Sequence, residues 1–173
     1  QNPIEQEGTY PLPEAQIDRF MFKVIVDYPT EEEEMLILQS MNNLNNNINL
    51  KPTVTVDELH IAKKIINNIH ISENLQEYII ALIFATRNPE KYNLKDLTNL
   101  IIFGASPRAT IFLSRAAKSL AFINKRAFVI PEDIRNVGKA ILRHRIILSY
   151  EAEAEELTSD DIIDRIFESV PIP

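Results

Sequence analysis

The sequence predicts a mainly α-helical fold, arranged as a bundle of five or six helices. The chain has 173 residues, 45% of them hydrophobic, which is enough to bury a core. Only three residues are glycine, and this disfavours a fold built on tight hairpins. Apolar residues recur at helical spacing along several segments, and most of these segments begin with residues that cap helices. These three observations together define the fold class.

Most of the predicted helices have a start signal. Thr30 with Glu33, and Thr55 with Glu58, match the capping box, in which each residue satisfies a backbone N–H of the other. Further helices are expected at residues 74–87, from Pro107 to about Asn124, from Pro131, and at residues 159–169 after Thr158. The stretch 88–106 is predicted as a connection that contains a short helix at residues 95–102.

Two short stretches have the composition of β-strands. Residues 20–26 (FMFKVIV) are apolar throughout, as in a strand that is covered on both faces. A single strand cannot stand alone, so its sheet partners are expected outside this chain. Residues 127–130 are a candidate to pair with residues 69–71, which would place a two-strand patch inside the helical bundle. Because the chain starts at Gln1 in a loop-like segment, we expect it to be a C-terminal piece of a longer protein.

The charge of the chain is unevenly distributed. The net charge is −7, but residues 101–149 carry nine bases and two acids, whereas residues 150–173 carry eight acids and one base. The basic block could serve an anionic ligand or an acidic partner. Alternatively, the acidic tail folds back on the basic helices. There is no cysteine, which excludes disulfides and thiol catalysis and suits a cytoplasmic protein. The apolar runs are far too short to span a membrane.

No complete active site is visible in the sequence. Gly138 and Lys139 lack the upstream glycine of a phosphate loop. The three histidines, His60, His70 and His144, show no metal-ligand spacing, so no metal site is predicted.

Arg108 stands out because of its position in a helix. Ser106 is a good N-cap and Pro107 suits the first helical position, so Arg108 falls in the first turn. That end of a helix carries partial positive charge, and a cation there costs about 0.3–1 kcal/mol at an exposed site. Arg108 is therefore either tolerated in solvent or directed at an anion.

Four blocks of the sequence resemble the MoxR family of AAA+ ATPases, and they occur in the family's order. They are QNPIEQEGTYPLPEAQIDRF at residues 1–20, GASPRA at 104–109, LRHR at 142–145 and VPIP at 170–173. The two longer blocks are specific, and the two shorter ones are supporting. The resemblance implies a helical-bundle lid domain of an AAA+ ATPase, preceded by one strand from the α/β core. It places the end of that core at residues 1–28 and the lid at residues 29–173.

The resemblance also implies roles for three residues. Asn2 matches the first sensor, which orients the attacking water near the γ-phosphate. Arg19 matches the arginine finger, which reaches the nucleotide of the neighbouring subunit. Arg108 matches the second sensor, a lid residue that contacts the phosphates. A planar guanidinium suits both arginine roles, because phosphoryl transfer needs charge stabilisation more than covalent chemistry.

By the same resemblance, the cofactors are ATP and Mg²⁺, bound mainly by a part of the ATPase domain that this sequence does not contain. The expected parent protein is a cytoplasmic ring oligomer that acts like a chaperone on protein clients, including proteins with von Willebrand factor A domains. No nucleic-acid partner and no membrane span are expected. The chain alone is expected not to hydrolyse ATP. Two alternatives stay open: a related AAA+ motor for metal chelation or nucleic acid, and a non-enzymatic helical interaction module.

Overall fold

The computed structural model describes residues 12–42 and 51–173, and within these ranges it confirms the mainly helical fold. The helices are α1 (Glu14–Ile17), α2 (Glu31–Met41), α3 (Val56–Asn68), α4 (Glu73–Arg87), α5 (Pro107–Ile123), α6 (Pro131–Leu142), α7 (Tyr150–Ala154) and α8 (Ser159–Ser169). The strands are β1 (Ile101–Phe103) and β2 (Ile147–Leu148), and short 3₁₀ helices occupy Pro89–Tyr92 and Lys95–Leu97.

The chain divides into two compact units. One holds the described residues up to Lys23 together with Ile65–Pro173, and the other holds the described part of Val24–Lys64. In the smaller unit both predicted capping boxes are confirmed: Thr30 N–H donates to Glu33 over 2.8 Å, and Thr55 N–H donates to Glu58 over 2.7 Å. None of the side chains of α3 is buried, although its apolar residues recur at helical spacing.

The core of the larger unit lies between α4, α5, α6 and α8. The apolar residues of α4 recur at helical spacing and are buried, namely Leu75, Tyr78, Ile79, Leu82 and Ile83. The buried stripe of α5 consists mostly of alanine, while its isoleucines Ile111 and Ile123 are exposed. Small side chains on this face allow the neighbouring helices to approach closely.

The strand β1 lies in a part of the chain where the sequence indicated a helix. β1 pairs antiparallel with β2, with Ile101 opposite Leu148 and Phe103 opposite Ile147. The helix expected at residues 95–102 is thus limited to its first turn, Lys95–Leu97. Residues 101–103, at the apolar end of this segment, are extended because they pair with β2, which is distant in sequence. The pairing expected between residues 69–71 and 127–130 is confirmed as a parallel bridge of His70 with Phe128.

Residues 20–26 differ from the strand that the composition predicted. They have no regular secondary structure, and Phe22, Val24 and Val26 are exposed. A strand is held by hydrogen bonds to a neighbouring strand, and among the described residues none lies beside this segment. Its backbone is instead bound at Lys23, whose N–H donates to the carbonyl of Ala140 over 2.8 Å.

The acidic C-terminal region folds back on the basic helices, as the second interpretation of the charge pattern proposed. Lys139 of α6 pairs with Asp164 of α8 at 2.7 Å, and Arg143 pairs with Asp160 at 2.8 Å. Part of the basic block is therefore neutralised within the chain. Among the described residues, no helix combines the length and hydrophobicity needed to cross a bilayer.

We predict that Gly138→Ala destabilises the chain, because a methyl group there would lie 2.3 Å from the ring of the buried Phe167 in α8. Overpacking of this kind typically costs about 1–3 kcal/mol, and it opposes the gain of about 1 kcal/mol that alanine brings to a helix. Urea unfolding of the chain measures the net change. Asn136→Ala, at an exposed position of α6, is the control that gains helix propensity without a clash. A Gly138→Ala variant as stable as the parent would contradict this packing.

Candidate functional site

The candidate site lies where the start of α5 meets the turn after α1. The chain reaches α5 through Gly104, where a Cβ atom would lie 2.4 Å from the carbonyl oxygen of Thr86 in α4. Only glycine allows this approach. The next residue is fixed from both sides, since Ala105 N–H donates to the Thr86 hydroxyl over 2.9 Å and Arg87 donates to the Ala105 carbonyl over 2.7 Å. The start of α5 is thus held rigidly against α4.

Ser106 caps α5 as predicted and also contacts α1. Its hydroxyl oxygen accepts a hydrogen bond from Arg108 N–H at 3.3 Å, and Pro107 occupies the first helical position. The same hydroxyl group lies 2.8 and 2.9 Å from the two carboxylate oxygens of Asp18, to which it donates. Asp18 directly follows α1. The N-cap of α5 therefore joins the two segments.

Arg108 finds an anion within the chain. Its Nη1 lies 2.9 Å from Oδ2 of Asp18, and its side chain remains 54% exposed. The carboxylate offsets the unfavourable position of a cation in the first turn of α5. Asp18 was not among the residues singled out from the sequence, although it lies next to Arg19 in the block that carries the family resemblance.

Arg145 is the most buried charged group of the site, with a side-chain exposure of 0%. Its Nε donates to Oδ1 of Asp18 over 3.0 Å, and its Nη2 donates to the carbonyls of Asp18 and Phe20 over 2.8 and 2.5 Å. Its Nη1 donates to the carbonyls of Met21, at 3.4 Å, and of Ile141. One guanidinium thus fastens the turn at residues 18–21 to the end of α6.

The ring of Phe112 in α5 covers the same guanidinium, with its centre 5.0 Å from the Arg145 Cζ atom. A cation over an aromatic face gains about 0.5–2 kcal/mol, depending on how far it is desolvated. Next to Arg145, His144 Nε2 lies 3.0 Å from the Phe20 carbonyl. Burial lowers the pKa of His144, and the charge of Arg145 adds to this effect, against the hydrogen bond to Phe20.

Asp18 is held ionised by its neighbours. Burial by itself would raise the pKa of this carboxyl, but the hydrogen bonds from Arg108 and Ser106 and the charges of Arg145 and Arg108 outweigh it. The net result is a pKa below the usual value for aspartate. One carboxylate therefore joins two arginines and a helix cap.

Arg19 lies within the fastened turn but points to solvent. Both of its neighbours, Asp18 and Phe20, are bound by Arg145, whereas the Arg19 side chain is exposed and has no ion pair in the described part of the chain. Asn2 lies outside the described residues. The structure thus brings Arg108 to Asp18, beside Arg19, and gives no position for Asn2. Within the described ranges, no group of three or more histidine or acidic side chains is arranged to hold a metal ion.

Two family models match the chain in separate places. The model of AAA lid domains matches residues 97–166, and the model of the ATPase family associated with various cellular activities (AAA) matches residues 1–22. Along its whole length the chain is 41% identical to the chaperone MoxR1 of Mycobacterium tuberculosis, of which it covers 45%. It is 33% identical to the protein MoxR of Paracoccus denitrificans, with 99% of the chain covering 54% of that protein.

A solved structure agrees with these relatives. The crystal structure of a candidate ATPase from Cytophaga hutchinsonii superposes with a TM-score of 0.95 at 48% identity, covering 100% of this chain and 52% of that one. The chain belongs to the MoxR family of AAA+ ATPases. It spans about half the length of the curated MoxR relatives that it matches.

Asp18 and the three residues that bind its carboxylate, Ser106, Arg108 and Arg145, form what we call the Asp18 cluster. The family models locate its members along the chain. Asp18 and Arg19 lie in the segment matched by the ATPase-family model, whereas Ser106, Arg108 and Arg145 lie in the segment matched by the lid model. The carboxylate of Asp18 therefore joins the segment matched by the ATPase-family model to the segment matched by the lid model. The sequence singled out Arg108 by its helix position and Arg19 by the resemblance, but it did not single out Arg145, whose only signal was its place in the LRHR block.

We predict that Asp18→Asn lowers the free energy of unfolding by about 3 kcal/mol at pH 7, because it leaves the buried Arg145 without its counter-charge. The folded-state pKa of Asp18 is depressed, so its contribution is complete above the unfolded value near 4 and is lost as the pH falls through the folded pKa. The stability of the parent should therefore begin to approach that of the variant below about pH 4, and the two should meet only below the folded-state pKa of Asp18, which is lower. Urea unfolding across pH 2–7 measures this.

The matched control is Asp164→Asn, which removes the same charge from a half-exposed pair with Lys139 and should cost less than about 1 kcal/mol. Equal losses for the two variants at pH 7, or a constant difference between Asp18→Asn and the parent at every pH, would contradict the assignment of Asp18.

Proposed function

We propose that this chain is the lid-bearing part of an Mg-ATP-dependent, ring-forming MoxR ATPase that remodels partner proteins. In this proposal residues 1–28 end the α/β core and residues 29–173 form the lid. The observation that supports it best is the Asp18 cluster, because Arg108 binds the residue that directly precedes Arg19, the other candidate phosphate-binding arginine. The phosphate loop and the carboxylates that bind Mg²⁺ belong to the part of the ATPase that precedes this segment.

Arg108 would contact the phosphates of the nucleotide in its own subunit. Its side chain is more than half exposed, and it uses only Nη1 in the pair with Asp18 among the contacts of the described chain. The other guanidinium nitrogens have donors that match phosphate oxygens in geometry. The helix N-terminus beneath it adds partial positive charge, which also favours a phosphate.

Arg19 would act on the nucleotide of the neighbouring subunit. An arginine finger needs an exposed guanidinium on a backbone that does not move when the cation meets the transition state. Arg19 meets both conditions, since its side chain is exposed and both neighbouring residues are bound by Arg145. Asn2 would orient the attacking water, as the family resemblance implies.

The chaperone description of the Mycobacterium tuberculosis relative supports protein clients, and we keep proteins with von Willebrand factor A domains as the proposed class. The net charge of −7 disfavours a nucleic-acid partner. A cytoplasmic location fits the absence of cysteine.

We predict that Arg108→Ala lowers kcat/KM for ATP by about 10–100-fold in the full-length ring, because hydrogen bonds to charged groups contribute about 1.5–3 kcal/mol. Arg19→Ala should lower kcat about 1,000-fold or more, with little change in KM. Steady-state phosphate release measures both effects. The control is Arg115→Ala, which removes an exposed arginine two turns further along the same face of α5 and should leave ATP hydrolysis unchanged. Unchanged hydrolysis in both Arg108→Ala and Arg19→Ala would favour a non-enzymatic helical module instead.

We also predict that the 173-residue chain alone does not hydrolyse ATP, because the phosphate loop lies outside it. Phosphate release by the purified chain, at concentrations where the full-length ring is active, tests this. Turnover that disappears in Arg108→Ala would contradict it.

A further inference from the structure

Arg145 holds the backbone on both sides of Arg19, and this arrangement has a consequence for the proposed reaction. Its Nη2 binds the carbonyls of the residues immediately before and after Arg19, namely Asp18 and Phe20. Its Nη1 adds the carbonyl of Met21, and its Nε adds the Asp18 carboxylate. One guanidinium therefore binds four acceptors in the turn at residues 18–21.

The guanidinium itself has little freedom to move. It is buried, it lies against the ring of Phe112, and it also donates to the carbonyl of Ile141 in α6, the helix that precedes it. These contacts come from α5 and α6, which are part of the segment that the lid model matches. Arg145 thus connects the helical core of the lid to the backbone on both sides of Arg19.

From this geometry we infer that Arg145 is a positioning residue for Arg19, fixing from the lid the direction in which the finger reaches the neighbouring subunit. The inference rests on the proposed role of Arg19. Asp18 extends it, because the same carboxylate binds Arg108. A shift of Arg108 towards phosphate in one subunit would loosen one partner of Asp18, while Arg145 keeps the turn attached to the lid. Nucleotide binding in one subunit would then affect the finger presented to the next.

A positive charge at position 145 is not by itself sufficient for this role. Arg145 binds four acceptors around the turn, in different directions, through three nitrogens. A lysine has one nitrogen, which cannot reach all of them at once. Arg145→Lys therefore keeps the charge opposite Asp18 and removes most of the hydrogen bonds to the turn.

The experiment is a double-mutant cycle in the full-length ring, with Arg145→Lys, Arg19→Ala and the combined variant. We expect Arg145→Lys to lower kcat about 10–100-fold, since misplacement of a catalytic group by about 1 Å can cost 100-fold. In the Arg19→Ala background the same substitution should change kcat less than about twofold, because no finger remains to be misplaced. Hydrogen exchange of the amides at residues 18–23 should become faster in Arg145→Lys.

The matched control is Arg126→Lys. Arg126 also makes an extensive set of contacts, to the buried Asp133 at 2.5 and 2.7 Å and to the Phe128 carbonyl at 3.0 Å, but away from the turn. It should lower stability without a loss of kcat and without faster exchange at residues 18–23. If Arg145→Lys does not give folded rings, Asp18→Asn replaces it in the cycle, because it weakens the fastening while Arg145 stays in place.

Three results would overturn the inference. One is a wild-type kcat in Arg145→Lys despite faster exchange of the turn. Another is a loss of kcat that multiplies with that of Arg19→Ala, which would show a general structural effect. A third is a wild-type kcat in Arg19→Ala itself, which would refute the proposed finger and remove the basis of the inference. The first two results leave the proposed role of Arg19 intact, so the two failures are distinguishable.

Discussion

The carboxylate of Asp18 is the interaction on which the rest of the site depends. It accepts hydrogen bonds from the N-cap Ser106, from the first-turn Arg108 and from the buried Arg145. Burying a guanidinium is unfavourable unless it is paired and its donors are satisfied, and Asp18 supplies the charge. The start of α5, the end of α6 and the turn that carries Arg19 are therefore not independent of one another.

The helices behind this cluster are packed closely against one another. Gly104 brings the chain directly onto the backbone of α4, and Gly138 brings α6 onto the ring of Phe167 in α8. Such close approaches leave few voids, and a densely packed interior has low compressibility and transmits strain between neighbouring elements. A displacement at the start of α5 would for this reason reach Arg145 through packed helices, without any need for a flexible linker.

The sequence was sufficient for those parts of the fold that local physics determines. The helices with clear caps, such as those after Thr30, Thr55 and Thr158, begin where they were expected. The pairing of Ile101 with Leu148 was not predictable, because it joins residues far apart in sequence. A similar limit explains residues 20–26, whose composition indicates a strand but cannot provide a neighbour.

The candidate site was predictable only in part, because its local features can be read from the sequence but its long-range contacts cannot. The cap at Ser106 and the cation in the first turn are local features, and they raised the question of an anion near Arg108. The partner that the structure provides, Asp18, is 90 residues away. Arg145 is 127 residues from that same aspartate and carried no local signal that it would be buried. Charge counts indicated that the acidic tail could neutralise basic helices, but not which arginine would lie beneath the turn.

A structure of the full-length ring with a non-hydrolysable ATP analogue and Mg²⁺ would test the central claim most directly. Our account predicts that Arg108 lies within hydrogen-bond distance of a phosphate oxygen in its own subunit. It also predicts Arg19 at the phosphates of the neighbouring subunit, with Arg145 still bound to the carbonyls of Asp18 and Phe20. An Arg108 that stays on Asp18 out of reach of the phosphates, together with an Arg19 that faces solvent, would contradict it.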